Sequence, residues 1–316
     1  LDASQISQTQ TLKTDIVIIG SGAGGGTSAE VLSQTGLSII LLEAGPLKTS
    51  NDFDMDEGKA YKNLYQEHAG RMNKDGSVSI LQGRCVGGST VINWTSSFRT
   101  PSQTLKHWQD EFQLENCSES EMAPWFEKME ERLNINPWPV PPNENNAVLS
   151  KGADALGIPW KVIPRNVLGC WNLGYCGTGC PTNAKQSMLV TTIPAALETE
   201  TQLSDNAPAK QLIFDDKKQK VIGVKIKTKV GELEIKADTF VMAAGGINSP
   251  ALMLRSDAPD PENLIGKRTF LHPVAFSFAK FDQEIAPYYG APQSVYSDHY
   301  QWQSVTGKVG YKLEVP

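Results

Sequence analysis

The sequence predicts an α/β fold, a doubly wound parallel sheet interrupted by a second, α+β segment, and three observations carry that reading. Asp15-Ile16-Val17-Ile18-Ile19 is a β-branched apolar run, the pattern of a parallel strand covered on both faces, and it leads directly into Gly20-Ser21-Gly22-Ala23-Gly24-Gly25. A helical run, Thr27–Gln34, and a second apolar strand, Ser38–Leu42, follow at once, as a βαβ unit requires. Far along the chain a third buried strand, Thr239–Ala243, meets Gly245-Gly246. The sheet is therefore built from distant stretches with other structure between them.

Composition narrows the class. Of 316 residues, 40% are hydrophobic and 20% charged, which excludes a disordered or collagen-like chain. A net charge of -6 argues against a nucleic-acid partner, which selects for a basic face. No apolar run approaches the length of a transmembrane segment, and Ile16–Ile19 is only of strand length. The first residue is Leu1 and the opening stretch is polar, with no signal-peptide core. Gly310–Pro316 reads as a strand without a cap after it, so more chain is expected beyond Pro316.

The remaining elements follow in order. Gly36 supplies the cap of the first helix. Residues 46–80 are polar and loop-rich, with a weak helical pattern around Tyr61–Gly70, and a second glycine-rich segment occupies Gln82–Thr95. Residues 105–133 read as helical, with Trp108, Phe112, Trp125, Phe126 and Met129 as the core side. Asn136–Asn146, rich in proline and asparagine, reads as an irregular surface loop. Ser187–Glu200 looks helical with a bend at Pro194. Gln211–Phe214, Val221–Lys229 and Glu232–Lys236 predict a small antiparallel meander. After Gly245-Gly246 a helix is expected with Ser249 as N-cap and Pro250 in its first position. From Val274 onward the pattern alternates as strands do, and there is no internal repeat.

The motif Gly20-x-Gly22-x-x-Gly25 lies between a strand and a helix, and Glu43 closes the next strand. Gly20 permits a tight turn, Gly22 lets backbone approach a pyrophosphate, and Gly25 allows close packing of helix on strand. The helix N-terminus offers unpaired N–H groups to phosphate, and Glu43 can accept from a ribose diol. Together these predict dinucleotide binding, and the acid disfavours a 2′-phosphate, leaving FAD or NAD. Gly83-Arg84-Cys85-Val86-Gly87-Gly88-Ser89-Thr90-Val91-Ile92-Asn93 and Ala243-Ala244-Gly245-Gly246-Ile247-Asn248-Ser249-Pro250 are two further backbone-exposing turns, suited to a cofactor longer than a nucleotide.

These three segments together resemble the glucose–methanol–choline (GMC) family of FAD-dependent oxidoreductases, whose members include choline-dehydrogenase-like enzymes. Gly83–Asn93 resembles the family's first signature and Gly245–Pro250 its second. Asn263–Pro273 is similar to the segment leading from the flavin domain back to the substrate domain. The resemblance implies a Rossmann-like FAD-binding domain over 11–110 and 187–272, interrupted by a substrate domain over 111–186 and 273–316. It implies that Gly20, Gly22 and Gly25 bind the pyrophosphate of FAD and Glu43 its ribose. It places Gly87, Gly88, Ser89 and Asn93 along the pyrophosphate and flavin with Arg84 supporting the loop, Ala209 at the adenine, and Ala244 and Gly245 beside the cofactor. Some members attach the flavin through a His immediately before this Asn; Ile92 stands there, so the resemblance implies non-covalent FAD.

The activity so implied is oxidation of the CH–OH group of an alcohol or sugar, with hydride passing to flavin N5 as a base takes the hydroxyl proton. None of His68, His107, His272 and His299 stands in the family's context for that base, which is therefore expected beyond Pro316; His272 reads as structural and His299 as an exposed strand residue. Cys85 and Cys117 read as buried thiols. Cys170, Cys176 and Cys180, among Gly174, Gly177 and Gly179, admit three readings: a disulfide or plain thiols, an iron–sulfur cluster, or zinc lacking an evident fourth ligand. Their spacing resembles that of GMC sugar dehydrogenases with a three-iron cluster, and the Lys185-Gln186-Ser187 context is similar to long-chain alcohol oxidases. The alternatives are thus an electron-transfer dehydrogenase with an iron–sulfur relay, passing electrons to an acceptor protein or quinone, and a flavin-binding fragment without turnover. Trp160, Trp171, Tyr175 and Trp302 read as core packing. The compartment stays open between cytoplasm and periplasm.

Overall fold

The computed structural model describes residues 2–6, 11–271, 273–302 and 309–315. Along the chain run β1 (Leu12–Ile19), α1 (Ala23–Ser33), β2 (Ile39–Leu42), α2 (Glu57–Leu64), α3 (Ser102–Phe112), α4 (Glu119–Arg132), β3 (Ile135–Pro137), α5 (Glu144–Leu156), β4 (Lys161–Val162) and β5 (Pro164–Asn166). Then follow α6 (Thr192–Leu197), β6 (Thr201–Ser204), β7 (Ala209–Phe214), β8 (Val221–Thr228), β9 (Gly231–Met242), α7 (Gly245–Arg255), β10 (Val295–Ser297) and β11 (Leu313–Glu314). The chain divides into two compact units. The first comprises Leu1–Ile92, Gly177–Asn183 and Ser187–Ser277, and the second Asn93–Cys176, Ala184–Gln186 and Phe278–Pro316.

The first unit is a six-stranded sheet in the order β6-β2-β1-β9-β8-β7. β6, β2, β1 and β9 are mutually parallel. Val17, Ile19, Ile40 and Leu42 join Leu212, Val224, Ile226, Leu233, Ile235 and Leu252 in one core cluster. The alternate residues Ile16, Ile18, Ile39 and Leu41 are buried as well. With a side-chain period of two, both faces of β1 and β2 are therefore covered, which is why these strands read as unbroken apolar runs.

The expected meander is part of this sheet. Glu232–Lys236 and the run from Thr239 join in one 12-residue strand, β9, which ends at Met242, one residue before Ala243. Its first half pairs antiparallel with β8 and its second half parallel with β1, and Ile235 has Val224 on one side and Leu12 on the other. Nothing in Ala237-Asp238 breaks an extended chain, so the two runs stay joined.

Three helices carry a proline: Pro124 lies inside α4, Pro194 in α6 and Pro250 in α7. α6 is shorter than Ser187–Glu200 and starts at Thr192, which puts Pro194 in the first turn, where N–H groups lack an intrahelical partner anyway. α7 begins at Gly245 with Ala244 as its cap, not at Ser249, so Pro250 lies inside the helix. That costs the bond to the carbonyl four residues earlier.

The second unit holds the antiparallel pair β3–β5 and the sheet β11-β10-β4. Asn136–Asn146 is more regular than expected. Asn136 and Pro137 pair with Arg165 and Pro164, and the Asn143 side chain caps α5 by accepting from Asn146 N–H. Two apolar readings fail. Trp125 is 62% and Phe112 59% exposed, and Trp108 is exposed too, whereas Phe126 and Met129 are half-buried. Trp171, Tyr175 and Trp302 are also exposed. Helical periodicity marks one face of a helix without saying whether anything covers it. The alternating pattern after Val274 yields strand only where partners exist: Val295–Ser297 pairs with β4 and β11, and the described residues 273–294 form none.

Arg165 is buried in this unit at 1% exposure. Its Nε donates to Thr95 Oγ1 at 2.7 Å, and its Nη2 donates to the Trp94 carbonyl at 3.1 Å and to Cys176 Sγ at 3.3 Å. The guanidinium lies 4.9 Å from the Trp138 ring centroid.

Two stability predictions follow from this packing. Leu41→Ala should cost about 2–5 kcal/mol in urea unfolding, while Val31→Ala on the exposed face of α1 should stay within about 0.5 kcal/mol. Arg165→Lys should lose roughly 1–3 kcal/mol, because an ammonium cannot reproduce the planar fork; wild-type stability in that variant would show the fork to be dispensable.

Candidate cofactor-binding site

The glycines of the first motif are set by contact. Gly20 has φ +101°, and a Cβ there would stand 2.5 Å from the Ala243 carbonyl oxygen. Only a residue without a side chain can turn the chain off β1 while β9 runs alongside. A Cβ on Gly25 would lie 1.7 Å from the Gly20 carbonyl oxygen, so α1 starts flush against the strand it leaves. Gly22 is the N-cap of α1, and no side chain caps that helix, so its first N–H groups face outward for an anion.

The second glycine segment closes on the first. A Cβ on Gly88 would lie 2.9 Å from Gly22 Cα, which brings two stretches of bare backbone face to face. Gly87 N–H donates to Ser21 Oγ at 3.0 Å. Ser89 Oγ accepts from Gly83 N–H at 2.9 Å and holds the loop's own ends together. The third segment is tied in through Arg71, whose Nη1 donates to Gln82 Oε1 at 2.8 Å and to Asn248 Oδ1 at 3.1 Å. Gln82 in turn lies against Gly245. Ala243 N–H bonds to the Ile19 carbonyl, placing Ala244 and Gly245 beside the turn at Gly20.

Glu43 sits beneath these loops. It is buried at 6% exposure, and its Oε2 accepts from Ser21 Oγ at 2.6 Å and Ser21 N–H at 3.2 Å, while Oε1 accepts from Gly45 N–H at 2.8 Å. Burial pushes its carboxyl above the usual range; the Ser21 and Gly45 donors and the Arg84 guanidinium oppose that shift. Three donors leave the carboxylate room for about one more, the capacity a ribose hydroxyl needs.

The Gly45 Cα packs on the Arg84 backbone, where a Cβ would meet the carbonyl oxygen at 2.1 Å. The Arg84 side chain lines a cavity of about 460 Å³ with Ser4, Gln5, Asn206, Pro208, Lys227, Thr228 and Lys229. Ala209, at the start of β7, follows Pro208 at its edge. The residues present thus fit a dinucleotide: a cradle that any Cβ would fill, a helix start without a cap, and a buried acid.

The first unit therefore assembles Gly20, Gly22, Gly25, Glu43, Arg84, Gly87, Gly88, Ser89, Ala209, Ala244 and Gly245. Asn93 opens the second unit, where its carbonyl accepts from buried Lys185 Nζ at 2.7 Å, as does that of Cys176. Sequence reasoning missed Ser21, Gly45, Arg71 and Gln82. Ser21 occupies a variable position of the motif, and Gly45 was signalled only by standing two residues after the acid.

All five cysteines are thiols. Cys85 is buried, and Cys117 is half-buried where burial was expected. Cys170 and Cys176 belong to the second unit and Cys180 to the first. Among the described residues no group of three or more His, Cys, Asp or Glu is arranged to hold a metal ion. Cys176 Sγ instead faces Arg165, Cys170 Sγ accepts from Asn172 N–H, and Cys180 Sγ lies 3.5 Å from Thr182 Oγ1. His68 and His107 are exposed, His299 is half-buried with its ring against Tyr300, and His272 lies outside the described residues. No described helix is long and apolar enough to cross a membrane.

Comparison with known proteins agrees with this architecture. The chain is 30% identical over 277 residues to long-chain-alcohol oxidase FAO4A of Arabidopsis thaliana, covering 86% of this chain and 38% of that one. It is 30% identical over 281 residues to the GMC-type oxidoreductase y4nJ of Sinorhizobium fredii, covering 87% and 54%. The chain thus spans well under two-thirds of the length of these relatives. Among solved structures, pyridoxine 4-oxidase from Mesorbium loti superimposes with a TM-score of 0.59 at 20% identity, over 77% of this chain and 52% of that one. Formate oxidase from Aspergillus oryzae superimposes at 0.58 and 16% identity, over 79% and 48%. Both likenesses concern the fold, the FAD-binding fold expected from the sequence. The family model for GMC oxidoreductase matches residues 61–274, more than half of the chain, and with the three glycine segments joined as described, the chain belongs to the GMC oxidoreductase family.

Proposed function

We propose that this chain is the FAD-binding part of an oxidoreductase that oxidises the CH–OH group of an alcohol. The observation that carries the reading is the meeting of three bare-backbone segments over one buried acid. Bound FAD supplies the redox chemistry, accepting hydride from the alcohol carbon. The chain's own residues bind and orient it. The N–H groups at Gly22–Gly25 and the Gly87–Ser89 loop receive the pyrophosphate, and Glu43 accepts from the ribose. Arg84 and the cavity beside Ala209 take the adenine end, and Ala244 and Gly245 border the flavin. The first unit acts as the flavin domain and the second as the substrate domain. The alcohol-oxidase names among the relatives support the substrate class.

The cofactor is held without a covalent bond. Ile92, buried ahead of Asn93, offers no nucleophile. We assign Cys170, Cys176 and Cys180 to structural thiol roles, with hydride acceptance confined to the flavin.

The test is the absorbance spectrum of the purified chain before and after acid precipitation, with iron measured on the same sample. Flavin bands that pass into the supernatant, without iron, are expected. Flavin retained in the pellet would overturn non-covalent binding, about three irons per chain would restore the relay, and a protein unable to take up added FAD would overturn the reading. Gly88→Ala should weaken FAD binding roughly tenfold or more, because its φ is +55° and the new Cβ enters the space of Gly22.

A further inference from the structure

The Ser21 hydroxyl joins the two glycine loops to the buried acid. It is fully buried, accepts from Gly87 N–H at 3.0 Å, and donates to Glu43 Oε2 at 2.6 Å. Its own N–H reaches the same oxygen at 3.2 Å. A hydroxyl has one hydrogen to give. While Glu43 is ionised, that hydrogen points to the carboxylate and a lone pair is directed to Gly87. The second loop is thereby held against the first at the point where Gly88 and Gly22 touch. An alanine here would fill the same space and make neither bond.

We propose that Ser21 is a positioning residue of the cofactor site, a relay through which the ionisation of Glu43 sets the closure of the Gly87-Gly88 loop on the Gly20–Gly25 loop, and hence the grip on FAD. This inference rests on the FAD-binding reading above and assigns a role to a residue whose type the motif leaves open.

The charge environment is simple. From the second loop, Arg84 favours the carboxylate, and the loop leaving β1 contributes no charged group. Past the end of β6, Asp205 is committed to Leu47 N–H and Asn206 Nδ2. Burial pushes Glu43 up, and the Ser21 hydroxyl is the first of the interactions holding it down. Once Glu43 is protonated, its oxygen ceases to be a strong acceptor. Ser21 loses the partner that fixed its hydroxyl, and both loops lose a common anchor. Affinity for FAD should then fall as the pH drops through the Glu43 pKa of the free chain, a window above the usual carboxylate range. Removing the Ser21 donor raises that pKa further, so the midpoint must move to higher pH.

The experiment is titration of the deflavinated chain with FAD, followed by flavin fluorescence between pH 4 and 8, for the parent, Ser21→Ala and Glu43→Gln. At neutral pH S21A should bind roughly ten- to a hundredfold more weakly, the worth of a buried hydrogen bond to a charged group. Its acid limb should lie at higher pH than the parent's, and in E43Q the limb should be absent. A merely structural role would lower affinity uniformly without moving the midpoint. Should S21A not fold, Ser21→Cys, of similar shape but a weaker hydrogen-bonding partner, carries the same comparison. Superimposable pH profiles for parent and serine variant would overturn the inference while leaving FAD binding intact. Failure of the parent to bind FAD at any pH would instead overturn the reading on which it rests.

Discussion

A carboxylate placed out of contact with water is the constraint around which the first unit is arranged. Glu43 could not remain ionised at the end of β2 without donors, and the chain supplies them from Ser21 and Gly45. Each donor fixes a loop. Gly45 must lack a side chain because Arg84 backbone lies against it, and Ser21 must sit where the Gly87 N–H can reach it. Satisfying one buried charge thus specifies the relative placement of three stretches of chain that are otherwise little more than backbone. That economy suits a site for a pyrophosphate, which is recognised by N–H groups and repelled by bulk.

The sheet makes such convergence possible. β1 and β9 end side by side, so the turns at Gly20 and Ala243-Ala244 leave at the same edge. In parallel sheets the carboxyl ends of neighbouring strands define a crevice for ligands. β9 extends this arrangement because its first half is anchored antiparallel to β8, giving the strand that carries the third glycine segment a second line of hydrogen bonds. The parallel and antiparallel parts share Ile235 as a register point, so a slip in the hairpin would carry the Ala243 turn out of line with Gly20.

The parts of the structure that were legible in the sequence share a physical feature: their signal is local. β1 and β2 announce themselves because burial on both faces excludes polar residues, and Gly20, Gly22 and Gly25 because contact excludes side chains. Trp125 and Phe112 mislead for the opposite reason. Their helical spacing is real, yet exposure depends on what lies across from the helix, which spacing does not encode. Residues 273–294 are the strand equivalent, since alternation is necessary for a half-covered strand but a strand exists only if a neighbour accepts its hydrogen bonds. Ser21 and Arg71 were illegible because the partners that tie them into the site lie far along the chain, Gly87 in one case and Asn248 in the other.

The cysteine trio shows how far spacing can go. Cys170, Cys176 and Cys180 lie in a glycine-containing stretch with the look of a ligand loop, but a ligand set needs thiols to converge, and convergence is decided by what else claims them. Arg165 donates through Nε to Thr95 Oγ1 and through Nη2 to the Trp94 carbonyl, and the same Nη2 reaches Cys176 Sγ. Lys185 holds the carbonyls of Cys176 and Asn93 together. The stretch around Cys176 is thereby tied by two buried cations to the chain at Asn93–Thr95. Cys176 Sγ is placed beside the Arg165 guanidinium that packs on Trp138, while Cys170 Sγ accepts from Asn172 N–H and Cys180 Sγ lies by Thr182.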